Sequence, residues 1–202
     1  MRNITFNFLG LHHHGEAFTS YLKLRKRFFV DVLGWDVPHN DEVEMDQYDN
    51  PTAHYSLVLR GKEVVGGARA MPTDATWGRN SYMLRDAIRG MSDIPADAMP
   101  AEIVSHEVWE CTRLVISDTL RTHAERTECL SLIVGGLVDI AREEGGVELV
   151  SLSPLPLVRT LRQVGYPASR YGEPYLSESD GRRYAVLRMP VTQTAPHMIA
   201  AE

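Results

Sequence analysis

Apolar positions in the first third of the chain follow first a helical and then a strand-like spacing. In residues 16–33 they recur as on one face of a helix, and Gly34 follows as a stop signal. Residues 36–53 are polar, acidic and proline-containing, which favours a long loop. Two runs of β-forming residues come next, joined by a Gly-Lys pair that is typical of a hairpin: His54–Arg60 and Glu63–Ala70.

The rest of the chain alternates between helical and strand-like segments. The predicted elements are one or two short helices around Met83–Ile88, a strand at Val108–Ser117, a helix capped by Asp118 or Thr119 and ending near Glu144, a strand at Val147–Ser153, a helix at Leu155–Val164 and a strand at Arg183–Met189. Strands that alternate with helices need crossover connections, so this order predicts an α/β sandwich around one mixed sheet. No internal repeat or Gly/Ser linker interrupts it, and we expect residues 1–202 to form a single domain.

Composition and charge narrow the class of protein. Hydrophobic residues make up 44% of the 202 residues and charged residues 24%, which is typical of a globular protein. The 21 Lys and Arg against 27 Asp and Glu leave a formal net charge of −6, which argues against a basic nucleic-acid-binding protein. The longest apolar stretch, around Leu130–Val138, is far shorter than the ~20 residues that a membrane span needs. We therefore expect no nucleic-acid partner and no membrane span.

The N-terminal and cysteine-containing sequences bear on the compartment. The first residues hold a short apolar run without a small-residue cleavage site, so we expect no signal peptide. The two cysteines, Cys111 and Cys129, cannot build a disulfide framework, which favours a reducing cytoplasm. The run His12–His14 has no Cys, second His cluster or carboxylate at ligand spacing beside it. We expect this run to lie in a solvated loop, and we expect no metal site.

Two charged residues interrupt an otherwise apolar predicted strand. Glu110 and Arg113 lie within Trp109–Ile116, where burying a charge is costly unless the charge is paired or used in chemistry. A regular strand would point residues three apart to opposite faces, so these two share one cleft only if the strand bulges between them. Cys111 adjoins Glu110, and we expect it to point to the other face, into the core, rather than to act as an acyl nucleophile.

Three further groups of residues are candidates for function or for structure. Arg25 and Phe29 share one face of the first helix, and Trp35 follows that helix. The run Glu44–Asp49 is acidic, and Arg69 lies near the end of the second hairpin strand. Taken alone, the aromatic residues suit a core and the acidic run suits a solvated surface. An alternative is that Arg25 pairs with one of the aspartates of this run and pins the loop against the first helix.

In chain order these residues form four spaced motifs, Arg25-x3-Phe29-x5-Trp35, Glu44-x-Asp46-x2-Asp49, Arg69-x2-Pro72-Thr73 and Glu110-x2-Arg113. Together, over residues 20–190, they resemble the acyl-homoserine-lactone synthase family, the autoinducer synthases of bacterial quorum sensing. The resemblance implies an acetyltransferase-like fold, a three-layer α/β/α sandwich around one mixed, splayed β-sheet. It also implies two substrates, S-adenosyl-L-methionine and an acyl thioester on acyl carrier protein or coenzyme A. The implied products are N-acyl-L-homoserine lactone and methylthioadenosine.

The implied reaction gives these residue types definite roles. The amine of S-adenosyl-L-methionine is largely protonated at neutral pH, and a carboxylate of raised pKa can take that proton directly or through water. Guanidinium groups hold carboxylates, whereas carboxylates and an indole face suit the sulfonium and ammonium cations. We expect Glu110 and Arg113 to be catalytic and no cofactor to be needed, because S-adenosyl-L-methionine is a substrate. The expected substrate-binding residues are Arg25, Phe29, Trp35, Asp46, Asp49, Arg69, Thr112 and Ser151, the last standing where many relatives that use 3-oxo chains have threonine.

The segment that follows the Glu110 strand bears on the identity of the acyl donor. Residues 117–126 contain no glycine, whereas coenzyme A users of the wider acetyltransferase fold cradle pyrophosphate with a glycine-rich turn, so a carrier protein is favoured. Acyl carrier protein is acidic and needs a local basic patch. The candidate patches are Lys23, Lys26 and Arg27, and a second run of Arg159, Arg162 and Arg170. The aromatic residue that the family usually has after its Pro-Thr segment is replaced by Ile88, or by Tyr82 or Trp77 in another register.

Two other functions remain open. One is a general coenzyme A-dependent N-acyltransferase acting on another amine, which would release no methylthioadenosine. The other is a non-catalytic relative that binds a ligand or a carrier protein. The presence of Arg69, Asp46, Glu110 and Arg113 together favours an enzyme.

Overall fold

The computed structural model describes residues 1–91 and 94–193, and a mixed eight-stranded sheet forms its centre. The strands are β1 (Arg2–Asn7), β2 (His54–Arg60), β3 (Glu63–Pro72), β4 (Val108–Ile116), β5 (Glu148–Pro154), β6 (Ser169–Arg170), β7 (Tyr175–Leu176) and β8 (Arg183–Pro190). The α-helices are α1 (Gly15–Arg25), α2 (Met83–Ile88), α3 (His123–Glu143) and α4 (Leu157–Gln163). Short 3₁₀ helices span Phe8–His13 and Ala96–Ala98, and a π-helical segment, Lys26–Val32, continues α1.

The order of the strands confirms the predicted mixed, splayed sheet. It runs β1-β2-β3-β4-β5-β8-β6, and β7 also pairs with β8. Strands β4 and β5 are parallel. Their pairing is short, because it joins only Val108–Glu110 of β4 to Glu148–Val150 of β5. Beyond these residues the two strands separate and leave a cleft in the middle of the sheet.

Helices and loops cover both faces of the sheet, which makes the predicted three layers. On one face α3 and α4 pack against the strands through a cluster that includes Ile133, Leu137 and Leu161. On the other face α1, α2 and the loop between the π-helical segment and β2 enclose a second cluster, which includes Tyr21 and Phe29. The charged residues of interest lie on this second face, beside α1.

Two adjacent glycines of β3 allow the helices on both faces to approach the sheet closely. A Cβ atom added to Gly66 would lie 2.6 Å from the Sγ atom of Cys129 on α3. A Cβ atom added to Gly67 would lie 3.0 Å from the ring of Tyr21 on α1. Side chains at these two positions would push α1 and α3 away from the sheet.

The N-terminal segment differs from the sequence-based expectations. Strand β1 was not predicted, because an edge strand with only two inward apolar residues, Ile4 and Phe6, gives a short and weak alternation. The expected loop around His12–His14 is largely the 3₁₀ helix Phe8–His13, whose first turn is closed by the side chain of Asn7. Within the described residues, no three His, Cys, Asp or Glu side chains form a group that could hold a metal ion.

The ends of two helices also differ from the predictions. The helix expected over residues 16–33 has the right extent, but its hydrogen bonds widen to the π pattern after Arg25, and Gly34 ends it with a φ of 69°. The cap of α3 is Thr122 rather than Asp118 or Thr119. Thr122 and Glu125 form a reciprocal capping box, in which each side chain accepts a hydrogen bond from the backbone N–H of the other residue.

In the part of the chain that the structure describes, no helix combines the length and the apolar character that crossing a lipid bilayer requires.

Candidate active site

A bulge in β4 creates the local geometry of the site. The pairing of β3 with β4 shifts between Gly67–Val115 and Arg69–Thr112, which leaves one extra residue on β4. Arg113 has a φ of 56°, a left-handed conformation that is uncommon for residues other than glycine. The hydroxyl of Tyr21 on α1 donates a 2.8 Å hydrogen bond to the Arg113 carbonyl oxygen and supports this conformation.

The bulge brings Arg113 and Glu110 to the same face of the sheet. The guanidinium of Arg113 contacts Glu44 and Asp46 and lies 5.4 Å from the ring centre of Phe29. Glu110 points to the start of α2 on this same face. The expectation that the two charges share a face only through a bulge is therefore confirmed.

Arg25 joins α1 to the acidic loop. Its Nε atom donates to Glu44 at 2.6 Å, and its two terminal nitrogens donate to Asp49 at 2.8 and 2.9 Å. All three side chains are fully buried. The alternative prediction, in which Arg25 pairs with an aspartate and holds this loop against the first helix, is confirmed for Asp49. The expectation that the acidic run is solvated is wrong for Glu44 and Asp49.

Arg69 joins the same loop to the sheet. Its terminal nitrogens donate to Asp46 at 2.5 and 3.2 Å, and one of them also lies 2.9 Å from Asp49. Its Nε atom donates to the hydroxyl of Thr112 on β4 at 3.1 Å. The buried network therefore spans the loop and two neighbouring strands.

Arg113 completes a network of three guanidinium groups and three carboxylates. It donates from Nε to Glu44 at 3.2 Å, and its Nη2 atom lies 2.8 Å from Asp46. Burial opposes ionisation of Asp46, but the guanidinium groups of Arg69 and Arg113 outweigh it and hold the pKa of Asp46 below its usual range. The three positive and three negative charges cancel, so the network as a whole is neutral and can be buried without an unpaired charge.

Four of the residues predicted to bind substrate are buried in this network and paired with one another. The side chains of Arg25, Arg69, Asp46 and Asp49 are at most 2% exposed and already paired with one another. Their geometry supports a role in ordering the loop rather than a direct contact with substrate. Arg113 is the most exposed of the three arginines, at 8% for its side chain.

Glu44 was not among the expected site residues. It is fully buried and bridges Arg25 to Arg113. A clue was present in the sequence, because Glu44 opens the same spaced motif as Asp46 and Asp49, but a charge in a polar loop gives no indication of burial.

Glu110 is buried beside the network at the start of α2. One carboxylate oxygen accepts from the backbone N–H of Met83 and the other from that of Leu84, both at 2.9 Å. Burial raises the pKa of Glu110 to about 7, although these two hydrogen bonds favour the ionised form. A carboxylate with this pKa exchanges a proton readily near neutral pH, which is what a general base requires.

Three residues are candidates for the position at which the family usually has an aromatic residue, and they lie in different environments. Tyr82 is fully buried, and its hydroxyl donates to the Ile103 carbonyl oxygen at 2.7 Å. Ile88 packs against the apolar cluster that contains Phe29. Trp77 is 53% exposed and lies outside this cluster.

Two aromatic residues form the wall of the site beside the network. Phe29 and Trp35 are stacked, with ring centres 5.0 Å apart and ring planes 24° apart. Phe29 is buried, as expected of a core residue, and Trp35 is partly exposed. The indole N–H of Trp35 donates to Asp180 at 2.9 Å, a partner that the sequence did not indicate.

An apolar pocket occupies the cleft between β4 and β5. It is lined by Cys111, Thr112, Arg113 and Leu114 of β4, by Leu149 and the segment from Ser151 to Ser153 of β5, by Val134 and Leu137 of α3, by Leu157 and Leu161 of α4, and by Ala68, Ala168, Leu187, Arg188 and Met189. Thr112 and Arg113 belong both to this pocket and to the charged network. The pocket and the charged network therefore adjoin at the bulge.

Two polar details of this pocket bear on its chemistry. The hydroxyls of Ser151 and Ser153 lie 3.0 Å apart on β5. Cys111 forms part of the wall and packs against the cluster beneath α3, on the opposite side of β4 from Glu110. Burial raises the pKa of its thiol far above the usual value, which does not suit a nucleophile.

The expected carrier-docking residues lie on α1 and the π-helical segment, and each has an acidic neighbour. The charged atoms of Lys23 and Glu42 are 2.9 Å apart, those of Lys26 and Asp31 are 2.8 Å apart, and those of Arg27 and Asp118 are 3.8 Å apart. In the second run, Arg159 is exposed on α4, Arg162 donates to the Ala168 carbonyl oxygen, and Arg170 lies 3.6 Å from Glu173.

Comparison with known sequences identifies the family. Residues 11–199 match the family model of the autoinducer synthases. The chain is 28% identical to the acyl-homoserine-lactone synthase of Acinetobacter baumannii over 169 residues, which cover 79% of this chain and 85% of that protein. It is 30% identical to the acyl-homoserine-lactone synthase of Aeromonas hydrophila over 169 residues, which cover 80% of this chain and 74% of that protein.

Solved structures share the fold. The structure of TofI in a ternary complex with an inhibitor and MTA has a TM-score of 0.74 at 25% identity, covering 96% of this chain and 94% of that one. BjaI, a CoA-dependent acyl-homoserine lactone synthase solved with SAM and isopentyl-CoA, has a TM-score of 0.74 at 18% identity, covering 93% of this chain and 82% of that one. The chain therefore belongs to the autoinducer synthase family and is an acyl-homoserine-lactone synthase.

Proposed function

We propose that this chain joins the amine of S-adenosyl-L-methionine to an acyl group and then closes the lactone, using the pocket and the network described above. The observation that carries this proposal is that the apolar pocket meets the charged network at Thr112 and Arg113. An acyl chain fits the apolar side of this junction, and a charged amino acid fits the polar side.

In the first step Glu110 accepts a proton from the substrate ammonium group, directly or through water. The free amine attacks the thioester carbonyl, so a C–N bond forms, the C–S bond breaks and the thiol of the donor leaves. In the second step the substrate carboxylate attacks its own γ-carbon, a C–O bond forms, and the bond from this carbon to the sulfonium sulfur breaks to release methylthioadenosine. The second step is intramolecular and needs mainly a folded substrate pose.

The role that we assign to each residue in this reaction follows from its exposure and its place in the site. Arg113 borders the pocket, so we assign it to the carboxylate of the substrate or to the developing thioester oxyanion. Arg25, Arg69, Asp46 and Asp49 hold the loop and keep Arg113 in place. Phe29 and Trp35 form the wall that faces the cationic part of the substrate. Thr112 and Ser151 line the acyl side of the junction.

We further propose acyl carrier protein, rather than coenzyme A, as the preferred carrier of the acyl group. Residues 117–122 before α3 lack glycine, and the capping box fills the start of this helix with a carboxylate. Glu125 accepts from the backbone N–H groups of Arg121 and Thr122, so a pyrophosphate at this place would meet a negative charge. The two free thiols suit a reducing compartment, and we place the reaction in the cytoplasm without an added cofactor.

Mass spectrometry of the products tests the reaction. Purified protein is supplied with S-adenosyl-L-methionine and a matched series of acyl carrier protein and coenzyme A thioesters. We expect N-acyl-homoserine lactone and methylthioadenosine in equal amounts, and a higher kcat/KM for the carrier-protein thioesters. An amide product without methylthioadenosine would indicate a general N-acyltransferase, and a higher kcat/KM for coenzyme A thioesters would contradict the proposed donor.

A further inference from the structure

A carboxylate in the turn between β7 and β8 links the two halves of the splayed sheet. Asp180 accepts a 2.9 Å hydrogen bond from the indole N–H of Trp35, which lies 145 residues away in the sequence. Trp35 follows the π-helical segment beside the β1–β4 half, whereas β7 and β8 belong to the half that contains β5. Among the described strands, the two halves pair directly only at the base of the cleft, so this contact bridges them away from that base.

The carboxylate is itself held in place. The same oxygen, Oδ2, accepts a 2.6 Å hydrogen bond from the hydroxyl of Tyr184 on β8. The other oxygen accepts from the backbone N–H of Arg182 at 3.0 Å. Because one oxygen serves both Trp35 and Tyr184, the position of the indole depends on the position of β8.

The contacts of the indole leave it little freedom. One face of Trp35 stacks on Phe29, its edge contacts Tyr184 with ring centres 6.2 Å apart, and its N–H is bound by Asp180. Phe29 in turn lies under the guanidinium of Arg113. Without Asp180 the indole would keep its apolar contacts but lose the one directional bond that fixes its rotation.

We infer that Asp180 is a positioning residue that orients the indole of Trp35 as the wall of the S-adenosyl-L-methionine site. The inference rests on the proposed function for the identity of the ligand, but the link between Asp180 and Trp35 is independent of it. No residue pattern indicates this role, because Asp180 lies in the polar turn Ser177–Arg182, far from every spaced motif.

Steady-state kinetics provide the first test. We expect Asp180→Ala to raise the KM for S-adenosyl-L-methionine about tenfold, as the loss of a hydrogen bond to a charged group would, with kcat changed less than about twofold. Asp180→Asn keeps an acceptor oxygen for the indole, so it should restore most of the affinity. Glu178→Ala removes an exposed carboxylate from the same turn and is the matched control, with an unchanged KM expected.

A spectroscopic test works without substrate and separates this inference from the proposed function. Incorporation of 5-fluorotryptophan gives fluorine resonances for Trp35, Trp77 and Trp109, and Trp35→Phe assigns the first of them. We expect Asp180→Ala to shift or broaden the Trp35 resonance and to leave the other two in place.

Two results would overturn the inference. One is an Asp180→Ala variant with a wild-type KM for S-adenosyl-L-methionine and an unmoved Trp35 resonance. The other is a uniform loss, in which both KM values, kcat and the melting temperature change together and Asp180→Asn fails to restore them, because that pattern indicates general destabilisation. If the wild-type protein forms no lactone, the proposed function fails, and the fluorine spectra still decide whether Asp180 orients Trp35.

Discussion

Glu110 combines burial with two backbone donors, and the balance between them sets its chemistry. Burial disfavours the carboxylate, whereas the N–H groups of Met83 and Leu84 favour it. The result is a pKa raised to about 7, so the side chain changes its charge state close to neutral pH. A glutamate on the surface would be ionised throughout this range and would be a weaker base.

Replacing the Glu110 carboxylate tests its proposed role as the general base. We expect Glu110→Gln to remain folded, because its carbonyl oxygen can still accept a hydrogen bond at the start of α2, and to slow amide formation about 10²-fold or more. In the wild type, kcat/KM should rise with pH through about 7, since only the ionised carboxylate accepts a proton.

Comparison of the two pH profiles isolates the contribution of Glu110. If deprotonation of the substrate amine alone makes kcat/KM rise with pH, the rise persists in Glu110→Gln. The part of the rise that is due to ionisation of Glu110 disappears in this variant. Glu107→Gln, at an exposed glutamate just before β4, is the control and should behave as the wild type does. Turnover of Glu110→Gln at the wild-type rate would remove this residue from the mechanism.

Asp49 is the most heavily used carboxylate of the network. It accepts two hydrogen bonds from Arg25 and one from the hydroxyl of Tyr55, and it lies within ion-pair distance of Arg69. The residue is buried, and removing one partner from a buried network leaves the remaining charges without compensation.

We therefore expect Asp49→Asn to lower the free energy of unfolding by about 3–5 kcal/mol, because a buried guanidinium loses its counter-charge. Denaturation in urea measures this loss. Asp31→Asn, which breaks the exposed pair with Lys26, serves as the comparison and should cost less than about 1 kcal/mol. Equal losses in the two variants would show that the network adds no stability of its own.

At the level of elements, the start of α3 shows how a cap is selected. Asp118, Thr119 and Thr122 are all acceptable capping residues in the sequence. Only Thr122 is followed at the third position by a glutamate that bonds back, and the side chain of Glu125 accepts from the backbone at Arg121 and Thr122. The reciprocal bonds decide between the candidates.

Substitutions at two of these positions test the assignment. We expect Thr122→Ala to lower the free energy of unfolding by about 1 kcal/mol, the usual cost of losing a cap. Asp118→Ala should have a much smaller effect, because the ion pair of Asp118 with Arg27 is long, at 3.8 Å, and exposed. A larger loss in Asp118→Ala, measured by thermal or urea unfolding, would return the cap to its predicted position.

At the scale of the whole molecule, the negative net charge has to be compatible with the acidic carrier protein that we propose as the acyl donor. The chain has a formal charge of −6, so attraction must come from a local patch rather than from the overall field. Lys26 and Arg27 directly precede Phe28 and Phe29 in the π-helical segment, and the ring of Phe29 contacts Arg113, which lines the pocket. Their ion pairs are at least partly exposed, and such pairs contribute little, so a more strongly charged partner can displace them.

Charge reversal at both positions is the corresponding prediction. We expect the Lys26→Glu, Arg27→Glu double variant to raise the apparent KM for the acyl carrier protein thioester, with a stronger effect at low salt, and to leave the KM for S-adenosyl-L-methionine unchanged. Arg159→Glu on α4 places the same reversal on the second basic run and should have less effect. If only Arg159→Glu raises this KM, docking takes place on α4 instead.

The sequence predicted much of the fold because the strong elements are long and periodic. The three strands around the site, His54–Arg60, Glu63–Pro72 and Val108–Ile116, were expected with ends that differ by at most two residues. The short edge strand β1, the π-helical end of the first helix and the cap of α3 were not, because hydrogen-bond patterns and weak alternation leave little trace in residue types.

By itself, the sequence determined the order of the central elements, the family, and the spaced charges and aromatic residues that form the candidate site. The tertiary structure alone decided which charges pair, because that choice depends on the bulge at Arg113 and on the seating of the acidic loop between Arg25 and Arg69. It also decided that Asp180 meets Trp35, since two residues so far apart in the chain come together only when the sheet is assembled. The pattern of hydrophobic and polar residues along the chain indicates burial and local geometry. The partners of a charge depend instead on distances in the folded molecule, because electrostatic interaction falls with distance.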